Sequence, residues 1–188
     1  KNSTNLPLKK NSNVEILIFD DLILKNTHYA LIFNKDKRIG IPKVRLHSSC
    51  LTGDLMGSQK CDCGYQLETA LDYMSKSKNM SILIYLNQEG RGLGIHNKII
   101  SYNIQEKGWD TYQADNILGF SGDERDYKAA GEILKFFKVK KLNLITNNPE
   151  KVEYLKKNKI TVNKMLKIKP GVNPHNKKYL ETKKIIGK

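Results

Sequence analysis

Two periods of apolar and polar residues run along this chain, one typical of strands and the other of helices. Apolar and β-branched residues alternate with polar ones at 14–19, 29–33 and 44–47, which predicts three strands. Further short apolar runs predict strands at 81–86, 141–145 and 160–165. Elsewhere apolar residues recur every three to four positions, as on the buried face of a helix. This second period predicts helices over 66–77, 95–107, 126–137 and 149–158.

Glycine and proline mark two of the predicted helix ends. Gly108 directly follows the second predicted helix, at the position where glycine is the favoured C-terminal cap. Pro149 opens the fourth, at the position that best tolerates proline. From residue 66 onward strands alternate with helices, and this order predicts a layered α/β architecture.

The length and composition predict a single domain over residues 1–188. A chain of 188 residues with 39% hydrophobic residues is long enough and apolar enough to bury one sizeable core. The two polar ends, 1–13 and 170–188, are predicted to be mobile unless Tyr179 and Leu180 dock a last helix.

Cysteine usage and hydropathy indicate the compartment. The chain has 3 cysteines, an odd number within one short stretch, which argues against a disulfide framework and for a reducing environment. No apolar run approaches membrane-spanning length, and the N-terminal residues lack the apolar core of a signal peptide. We therefore expect a cytoplasmic protein without a membrane partner.

The net charge of +14 has two readings. It reflects either a lysine-rich proteome or an anionic partner, which is a nucleic acid bound by a basic surface or a polyphosphate bound in a focused cleft. Arginine is scarce and, apart from Arg38, lies within the motifs described below, as Arg45, Arg91 and Arg125. Because the guanidinium fork suits bidentate phosphate contacts, this placement favours a specific anion site.

The cysteine cluster is the first candidate site. Cys50, Cys61 and Cys63 bring three soft ligands within reach of one metal ion, and Gly64 permits unusual backbone angles after the last of them. Three protein ligands and an open position are typical of catalytic zinc. If His47 is the fourth ligand, the site is closed and structural instead. The spacing alone leaves both readings open.

A glycine-rich turn, QEGRGLG at 88–94, lies directly between a predicted strand and a predicted helix. Backbone N–H groups at such a helix entry can approach an anion, and the helix N-terminus adds favourable partial charge. A turn of this kind also serves as a plain structural connection. Glu89 and Arg91 within it favour ligand contacts.

Two more polar turns precede predicted helices. In SGDERDY at 121–127, Asp123 and Arg125 form either an acid–base and phosphate-handling pair or, with Asp126, a simple helix cap. In TNNPEK at 146–151, a hydroxyl, two amides and a lysine suit a phosphate end, although a capping turn has the same composition. Three of the four motifs follow strands, where open α/β sheets bind ligands.

These motifs together resemble one known family. The runs RLHSSCLTGD at 45–54, CDCG at 61–64, QEGRG at 88–92, DERDY at 123–127 and TNNP at 146–149 resemble GTP cyclohydrolase II, the enzyme that commits GTP to riboflavin biosynthesis. The resemblance is strongest over 43–155, and NPHN at 173–176 and YLETK at 179–183 also look familial. The chain resembles the monofunctional form. We accordingly predict a mixed sheet flanked by helices.

The resemblance implies a mechanism and a set of partners. Cys50, Cys61 and Cys63 would hold one catalytic Zn²⁺, which activates water for attack on C8 of guanine. The imidazole ring then opens, formate and pyrophosphate leave, and a diaminopyrimidine phosphoribosyl product remains. Mg²⁺ on the GTP triphosphate and a homodimer are also implied, and no nucleic acid is expected.

The resemblance also assigns roles to individual residues. Asp123 would be the proton acceptor, and Arg125 the nucleophile or, as is physically safer for a protonated guanidinium, the clamp at the α-phosphate. Tyr102 would be a further member of the active site. The residues implied to contact GTP are Arg45, Leu46, His47, Ser48, Ser49, Gln66, Glu89, Gly90, Arg91, Thr111, Thr146 and Lys151.

One departure from the family pattern lies beside the first cysteine. The family usually has glutamate immediately before it, and this chain has Ser49, so a carboxylate acceptor is lost there. Independently of Ser49, two alternatives to the full reaction stay open: the same scaffold with a formylated product or a role outside riboflavin synthesis, and a non-enzymatic basic zinc module that binds nucleic acid.

Overall fold

The computed structural model describes residues 2–121 and 123–185. The chain divides into two compact units, each assembled from three separate segments. The first unit comprises Lys1–His47, Glu68–Asn87 and Tyr127–Lys169, and the second comprises Ser48–Leu67, Gln88–Asp126 and Pro170–Lys188. The single domain over 1–188 stays a prediction. Of the two ends predicted to be mobile, residue 1 and residues 186–188 lie outside the described residues.

A seven-stranded mixed sheet forms the centre of the first unit. Its strands are β1 (Ser3–Asn5), β2 (Val14–Asp21), β3 (Asn26–Phe33), β4 (Lys43–Ser48), β5 (Ser81–Leu86), β6 (Lys141–Ile145) and β7 (Thr161–Leu166). They lie in the order β1-β2-β3-β5-β4-β6-β7. The pairs β1–β2, β2–β3 and β3–β5 are antiparallel, whereas β4–β6 and β6–β7 are parallel. The predicted mixed α/β sheet is confirmed.

The core of the first unit packs helices against this sheet. Helices α4 (Lys128–Phe136) and α5 (Pro149–Lys157) bury Ile133, Leu134 and Leu155 in a cluster with side chains from the strands. Each such side chain contributes about 1.5–3 kcal/mol when it leaves water. The strand residues of the cluster are Leu17, Ala30, Ile32, Val44, Leu46, Ile82, Ile84, Leu86, Leu142 and Leu144.

The second unit consists mainly of helices and turns. Helix α2 (Gly94–Glu106) is followed by α3 (Thr111–Ile117), and α6 (Lys177–Ile185) comes from the C-terminal segment. Leu51–Leu55 forms a π-helical turn, and Glu89–Gly92 forms a 3₁₀ turn. Helix α1 (Cys63–Ser75) begins in this unit and ends in the first. Among the described residues, no helix combines the length and apolarity needed to cross a membrane.

Local signals explain most of the element limits. Gly108 has a φ of 104° just after α2, and Pro149 is the first residue of α5, so both predicted ends are confirmed. Helix α3 was not predicted, although Asp110 and Gln113 form a reciprocal capping box at its start. The short strand β1 was also not predicted.

Candidate functional site

The three cysteines form one cluster in the second unit. Their Sγ atoms all lie within 4.8 Å of one another, and Cys50 and Cys61 are buried. They carry no disulfide bond. Three soft sulfur donors at this separation fit a zinc ion. Among the described residues, the group of donor atoms close enough to hold a metal consists of these cysteines, and His47 is not part of it.

Two glycines let the chain fold tightly around the sulfur atoms. A Cβ on Gly53 would lie 3.1 Å from the Sγ atoms of both Cys50 and Cys61. A Cβ on Gly64 would collide with the backbone carbonyl oxygen of Gly53. Gly64 lies in the first turn of α1 and has ordinary helical backbone angles, so the prediction that it adopts unusual angles was wrong. Glycine is needed there because the Gly53 backbone approaches too closely for a side chain. The spacing of the cysteines therefore depends on glycines in both segments.

A buried lysine provides positive charge beside the cluster. The Lys98 Nζ on α2 lies 3.1 Å from the Cys50 Sγ and 2.6 Å from the Glu89 Oε1. Burial lowers the pKa of Lys98, but the Glu89 hydrogen bond and the Cys50 charge outweigh burial and raise that pKa overall. Hydrogen bonds from Cys61 and Cys63, together with the Lys98 charge, lower the pKa of the Cys50 thiol. The surroundings thus favour a thiolate at Cys50.

Hydrogen bonds join the glycine-rich turn to the cysteine loop. The Glu89 Oε2 accepts from the backbone N–H of Leu51 at 2.5 Å. The Ser49 Oγ accepts from the backbone N–H of Gln88 at 3.1 Å, and the Ser48 Oγ accepts from its side-chain amide at 2.9 Å. The serine that departs from the family pattern therefore connects the two motifs, and Glu89 is a carboxylate that reaches the same loop.

The glycine-rich turn also lies against the loop of Asp123 and Arg125. Gly90, Arg91 and Gly92 all have left-handed backbones, with φ values of 60°, 59° and 93°. A Cβ on Gly92 would lie 3.0 Å from the Glu124 backbone, and the Glu124 N–H donates to the Arg91 carbonyl at 3.0 Å. The second and third motifs therefore meet in one unit, and Gly92 permits their close approach.

The Arg91 guanidinium is held on several sides. One nitrogen lies 3.2 Å from the Asp115 Oδ2. The Arg91 Cζ lies 4.3 Å from the ring centroid of Tyr112 and 5.9 Å from that of Tyr179. Burial raises the pKa of Asp115, although its hydrogen bond from Ser101 and the charge of Arg91 oppose that shift. Asp115 and Ser101 were not among the predicted site residues.

Asp123 and Arg125 form a two-point ion pair. The Arg125 Nε donates to Asp123 Oδ1 at 2.8 Å, and its Nη2 donates to Oδ2 at 2.6 Å. Such a paired geometry fixes the plane of the guanidinium. Tyr127 occupies the N-cap position of α4, so neither Asp123 nor Asp126 is the simple helix cap considered above.

Three further predicted residues lie in the second unit. The buried Gln66 donates from its amide to Asp62 Oδ2 at 2.5 Å. Burial raises the pKa of Tyr102, whose ring lies 4.8 Å from the Lys60 ammonium. The Thr111 hydroxyl donates to the Gln105 side chain at 3.4 Å.

The remaining predicted residues belong to the first unit. Arg45 and Lys151 are buried cations that bind backbone carbonyl oxygens, those of Ile145 at 3.2 Å and Leu46 at 2.7 Å respectively. These carbonyls lie on β6 and β4 respectively. Both cations are therefore bound to strands of the sheet at whose ends ligand-binding loops were predicted. The other first-unit members are His47, whose ring stacks on Tyr85 at 5.5 Å, and Thr146, whose Oγ1 accepts from the Asn148 N–H at 3.0 Å.

A family model described as GTP cyclohydrolase II matches residues 1–167. The chain belongs to the GTP cyclohydrolase II family. The match includes the first forty residues, where the motif resemblance was weak. Three similar proteins are all named GTP cyclohydrolase-2. That of Psychromonas ingrahamii is 45% identical over 96% of this chain and 92% of its own length.

The other two relatives come from Aliivibrio fischeri and Helicobacter pylori. The protein of A. fischeri strain MJ11 is 42% identical over 95% of this chain and 89% of its own length. The protein of H. pylori strain P12 is 51% identical over 77% of this chain and 73% of its own length. For this GTP cyclohydrolase II family member, the alignments span most of each relative.

Lys98 is the main residue of the cluster that sequence reasoning missed. Its position nine residues after Glu89 carries no motif, and lysine is common along the whole chain. The available signal was its place on a helix that directly follows the glycine-rich turn, with the ammonium able to reach back towards that turn.

Proposed function

We propose that this protein is a GTP cyclohydrolase II. It hydrolyses GTP, opens the imidazole ring of guanine, and releases formate and pyrophosphate to leave 2,5-diamino-6-hydroxy-4-(5-phosphoribosylamino)pyrimidine, the first step of riboflavin biosynthesis. The observation that carries the proposal is the cluster of three cysteines in a chain that belongs to this family. Relatives that bear the enzyme's name and align over 92% and 89% of their own length support it.

Zinc is the proposed metal, held by Cys50, Cys61 and Cys63. Bound by these three cysteines, zinc would supply water with a pKa lowered towards neutrality, the nucleophile that attack on C8 requires. The chain's own contribution is charge and shape. Lys98 offsets part of the thiolate charge, and Gly53 leaves room for the sulfur atoms to converge.

Asp123 and Arg125 are proposed to handle proton and phosphate. Asp123 would accept a proton during ring opening, and Arg125 would stabilise charge at the α-phosphate where pyrophosphate departs. The two-point contact with Asp123 orients a guanidinium that carries five N–H donors, so the same group can present further donors to an anion. Electrostatic stabilisation is a better role for Arg125 than nucleophilic attack, because guanidinium stays protonated.

The rest of the nucleotide site is proposed from the family pattern. The cations Arg45, Arg91 and Lys151 would bind the triphosphate, which carries Mg²⁺. The site further includes Tyr102, and the other GTP contacts are Leu46, His47, Ser48, Ser49, Gln66, Glu89, Gly90, Thr111 and Thr146. A homodimer in the cytoplasm is part of the same proposal.

Incubation of the zinc-loaded protein with GTP and Mg²⁺ tests this function. Formate and pyrophosphate should each form in a one-to-one ratio to the GTP consumed, with the ultraviolet absorbance of the diaminopyrimidine appearing in parallel. A Cys61→Ser variant should lose both zinc and ring opening. As a control, Ser58→Ala, at a half-buried serine of the same segment, should keep both.

Other outcomes separate the alternatives. GTP consumption without stoichiometric formate would show that the reaction stops at the formylated pyrimidine. Absence of GTP turnover, with RNA or DNA binding that weakens steeply with salt, would replace the enzyme by a nucleic-acid module. The Asp123–Arg125 pair and the glycine-rich turn beside it do not favour that module.

A further inference from the structure

Helix α6 carries a tyrosine against the glycine-rich turn. The ring centroid of Tyr179 lies 5.9 Å from the Cζ of Arg91, within the range of a cation–π contact, and the hydroxyl group is hydrogen-bonded to the same guanidinium. This helix follows the residues that the family model matches, which end at 167. No role derived above uses α6.

The position of the Arg91 guanidinium depends on its side-chain contacts. The residue's φ of 59° is left-handed, a conformation that costs free energy for a residue with a Cβ. Its side chain has several rotatable bonds, so the backbone alone does not fix where the guanidinium lies. Asp115 binds one edge of the guanidinium, and Tyr112 and Tyr179 each present a ring to it. Loss of one of these partners should widen the range of Arg91 orientations.

The segment before α6 is ordered by its own hydrogen bonds. The Asn176 side chain, which is fully buried, donates to the Gly171 carbonyl at 2.7 Å and accepts from the Asn173 N–H at 2.9 Å. A Cβ on Gly171 would lie 2.6 Å from the Tyr65 ring, so the chain passes directly over that ring. The NPHN run at 173–176 therefore builds the turn that leads into α6.

Two lysines of α6 attach it to the rest of the second unit. The Lys178 ammonium donates to the Gly108 carbonyl at 2.9 Å. The Lys183 ammonium lies 3.9 Å from the Oδ1 of Asp62, a buried carboxylate oxygen that has no hydrogen-bond partner among the described residues. Asp62 stands between two cysteines of the cluster. Helix α6 is thus held at both ends, with Tyr179 between its two anchors.

We propose that Tyr179 is a positioning residue, which acts by holding the Arg91 guanidinium in the orientation that contacts the nucleotide. The C-terminal helix α6 is then part of the functional site. The nucleotide part of this inference rests on the proposed function, whereas the Tyr179–Arg91 contact does not. Its effect should appear in nucleotide binding more than in the chemical step, because Tyr179 acts through Arg91.

Kinetics of Tyr179→Leu and Tyr179→Phe in the full-length, zinc-loaded protein test the proposal. The KM for GTP should rise about 3- to 30-fold in Tyr179→Leu, the range of a partly buried cation–π contact, with a smaller change in kcat. Tyr179→Phe keeps the ring and should show a smaller rise. Tyr73→Leu is the matched control, since Tyr73 carries the Lys43 ammonium 4.6 Å above its ring in the first unit, and it should leave KM unchanged.

A double-mutant cycle separates positioning from a general structural role. If Tyr179 acts through Arg91, Tyr179→Leu should raise KM in the wild-type background and have little further effect in an Arg91→Met background. An unchanged KM, or the same fold rise in both backgrounds, would overturn the proposal. If Tyr179→Leu does not fold, the cycle is read with Tyr179→Phe.

The same cycle in urea unfolding keeps the two proposals distinguishable. If the wild-type protein neither binds nor hydrolyses GTP, the proposed function fails, and the Tyr179–Arg91 contact is then tested by its effect on the free energy of unfolding alone. Non-additive losses of stability for Tyr179 and Arg91 substitutions would then support the contact. Additive losses would overturn it.

Discussion

The Lys98 ammonium lies 3.1 Å from the Cys50 sulfur, inside a unit where little water reaches either group. The other partner of Lys98 is Glu89, at 2.6 Å. The Lys98 ammonium therefore lies between the Cys50 sulfur and the Glu89 carboxylate. Two segments far apart in the sequence, the cysteine loop and the glycine-rich turn, are thereby linked through one helix side chain. Metal binding and the conformation of that turn should consequently depend on each other.

Removal of the Lys98 charge should weaken metal binding. Lys98→Met leaves the Cys50 sulfur without its neighbouring cation, and changes next to metal ligands typically cost about 10–100-fold in affinity. Competition with a chromophoric zinc chelator measures this directly. Lys135→Met is the matched control, because Lys135 pairs with Glu132 at 2.7 Å on the surface of the first unit. Equal zinc affinities of the Lys98 variant and the wild type would contradict the expectation.

Gly53→Ala should disrupt the cysteine cluster itself. The added methyl group would lie 3.1 Å from two sulfur atoms, closer than ordinary van der Waals contact, so the sulfurs must move apart. Cobalt(II) substitution would report this through a weakened thiolate charge-transfer band and a lower metal stoichiometry. Gly57→Ala supplies the comparison, since a Cβ there meets nothing within 4 Å and its cost is confined to the backbone strain of a left-handed φ of 67°. A normal cobalt spectrum for Gly53→Ala would show that the cluster tolerates the methyl group.

Ser49→Ala should loosen the link between the cysteine loop and the glycine-rich turn. The substitution removes the acceptor of the Gln88 N–H, and a hydrogen bond of this kind is worth about 0.5–1.5 kcal/mol. Urea unfolding measures the loss. Ser58→Ala, which removes a longer, solvent-exposed hydrogen bond of 3.3 Å from the Lys60 N–H, should cost less. If the free energy of unfolding falls equally in the two variants, the Ser49 hydrogen bond stabilises the protein no more than the Ser58 hydrogen bond does.

Asp115 should give stability a characteristic pH dependence. Burial raises the pKa of Asp115 in the folded protein, so the folded state holds this proton more tightly than the unfolded state does. Its contribution is therefore most favourable below the unfolded value of about 3.9 and declines as pH rises through the folded value. The stability of wild type relative to Asp115→Asn should fall as pH increases from 4 upward.

Glu106 provides a comparison of opposite sign. The Lys60 hydrogen bond lowers the pKa of Glu106, so wild type should gain stability relative to Glu106→Gln as pH rises over the acidic range. Urea unfolding at several pH values would measure both slopes. Slopes of the same sign for the two variants would contradict the environment assigned to Asp115.

The strands and most of the helices were predictable because each carries its own period. The alternation at 14–19 and 29–33 anticipates β2 and β3, although both strands extend beyond these limits because backbone pairing from Val14 to Asp21 continues past the apolar residues. Helix α3 was not predicted because its apolar period is weak. The capping box of Asp110 and Gln113 is the local signal that marks its start. The strand β1 has only three exposed residues, so no pattern marks it.

The residues of the candidate site were likewise only partly predictable from the sequence. Cysteine spacing anticipated that the three sulfur atoms come together, since three cysteines within fourteen residues need little help from the rest of the fold. For Lys98 the sequence offers only its place on the helix after the glycine-rich turn. Asp115 was not predictable, because its partners are set by how α2 and α3 pack, which no local pattern encodes. Arg45 and Lys151 were identified as cations, but their burial against strand carbonyls depends on the pairing of β4 with β6.

The alternation of the two units along the chain bears on how the protein is made. Each unit draws on three segments, and the last segment of the second begins at Pro170. The first unit therefore has all of its segments only after Lys169 has been synthesised, and the second unit additionally needs the residues that follow. Within the second unit, Tyr179 is synthesised after Arg91, Tyr112 and Asp115, so the Arg91 guanidinium acquires this aromatic partner last.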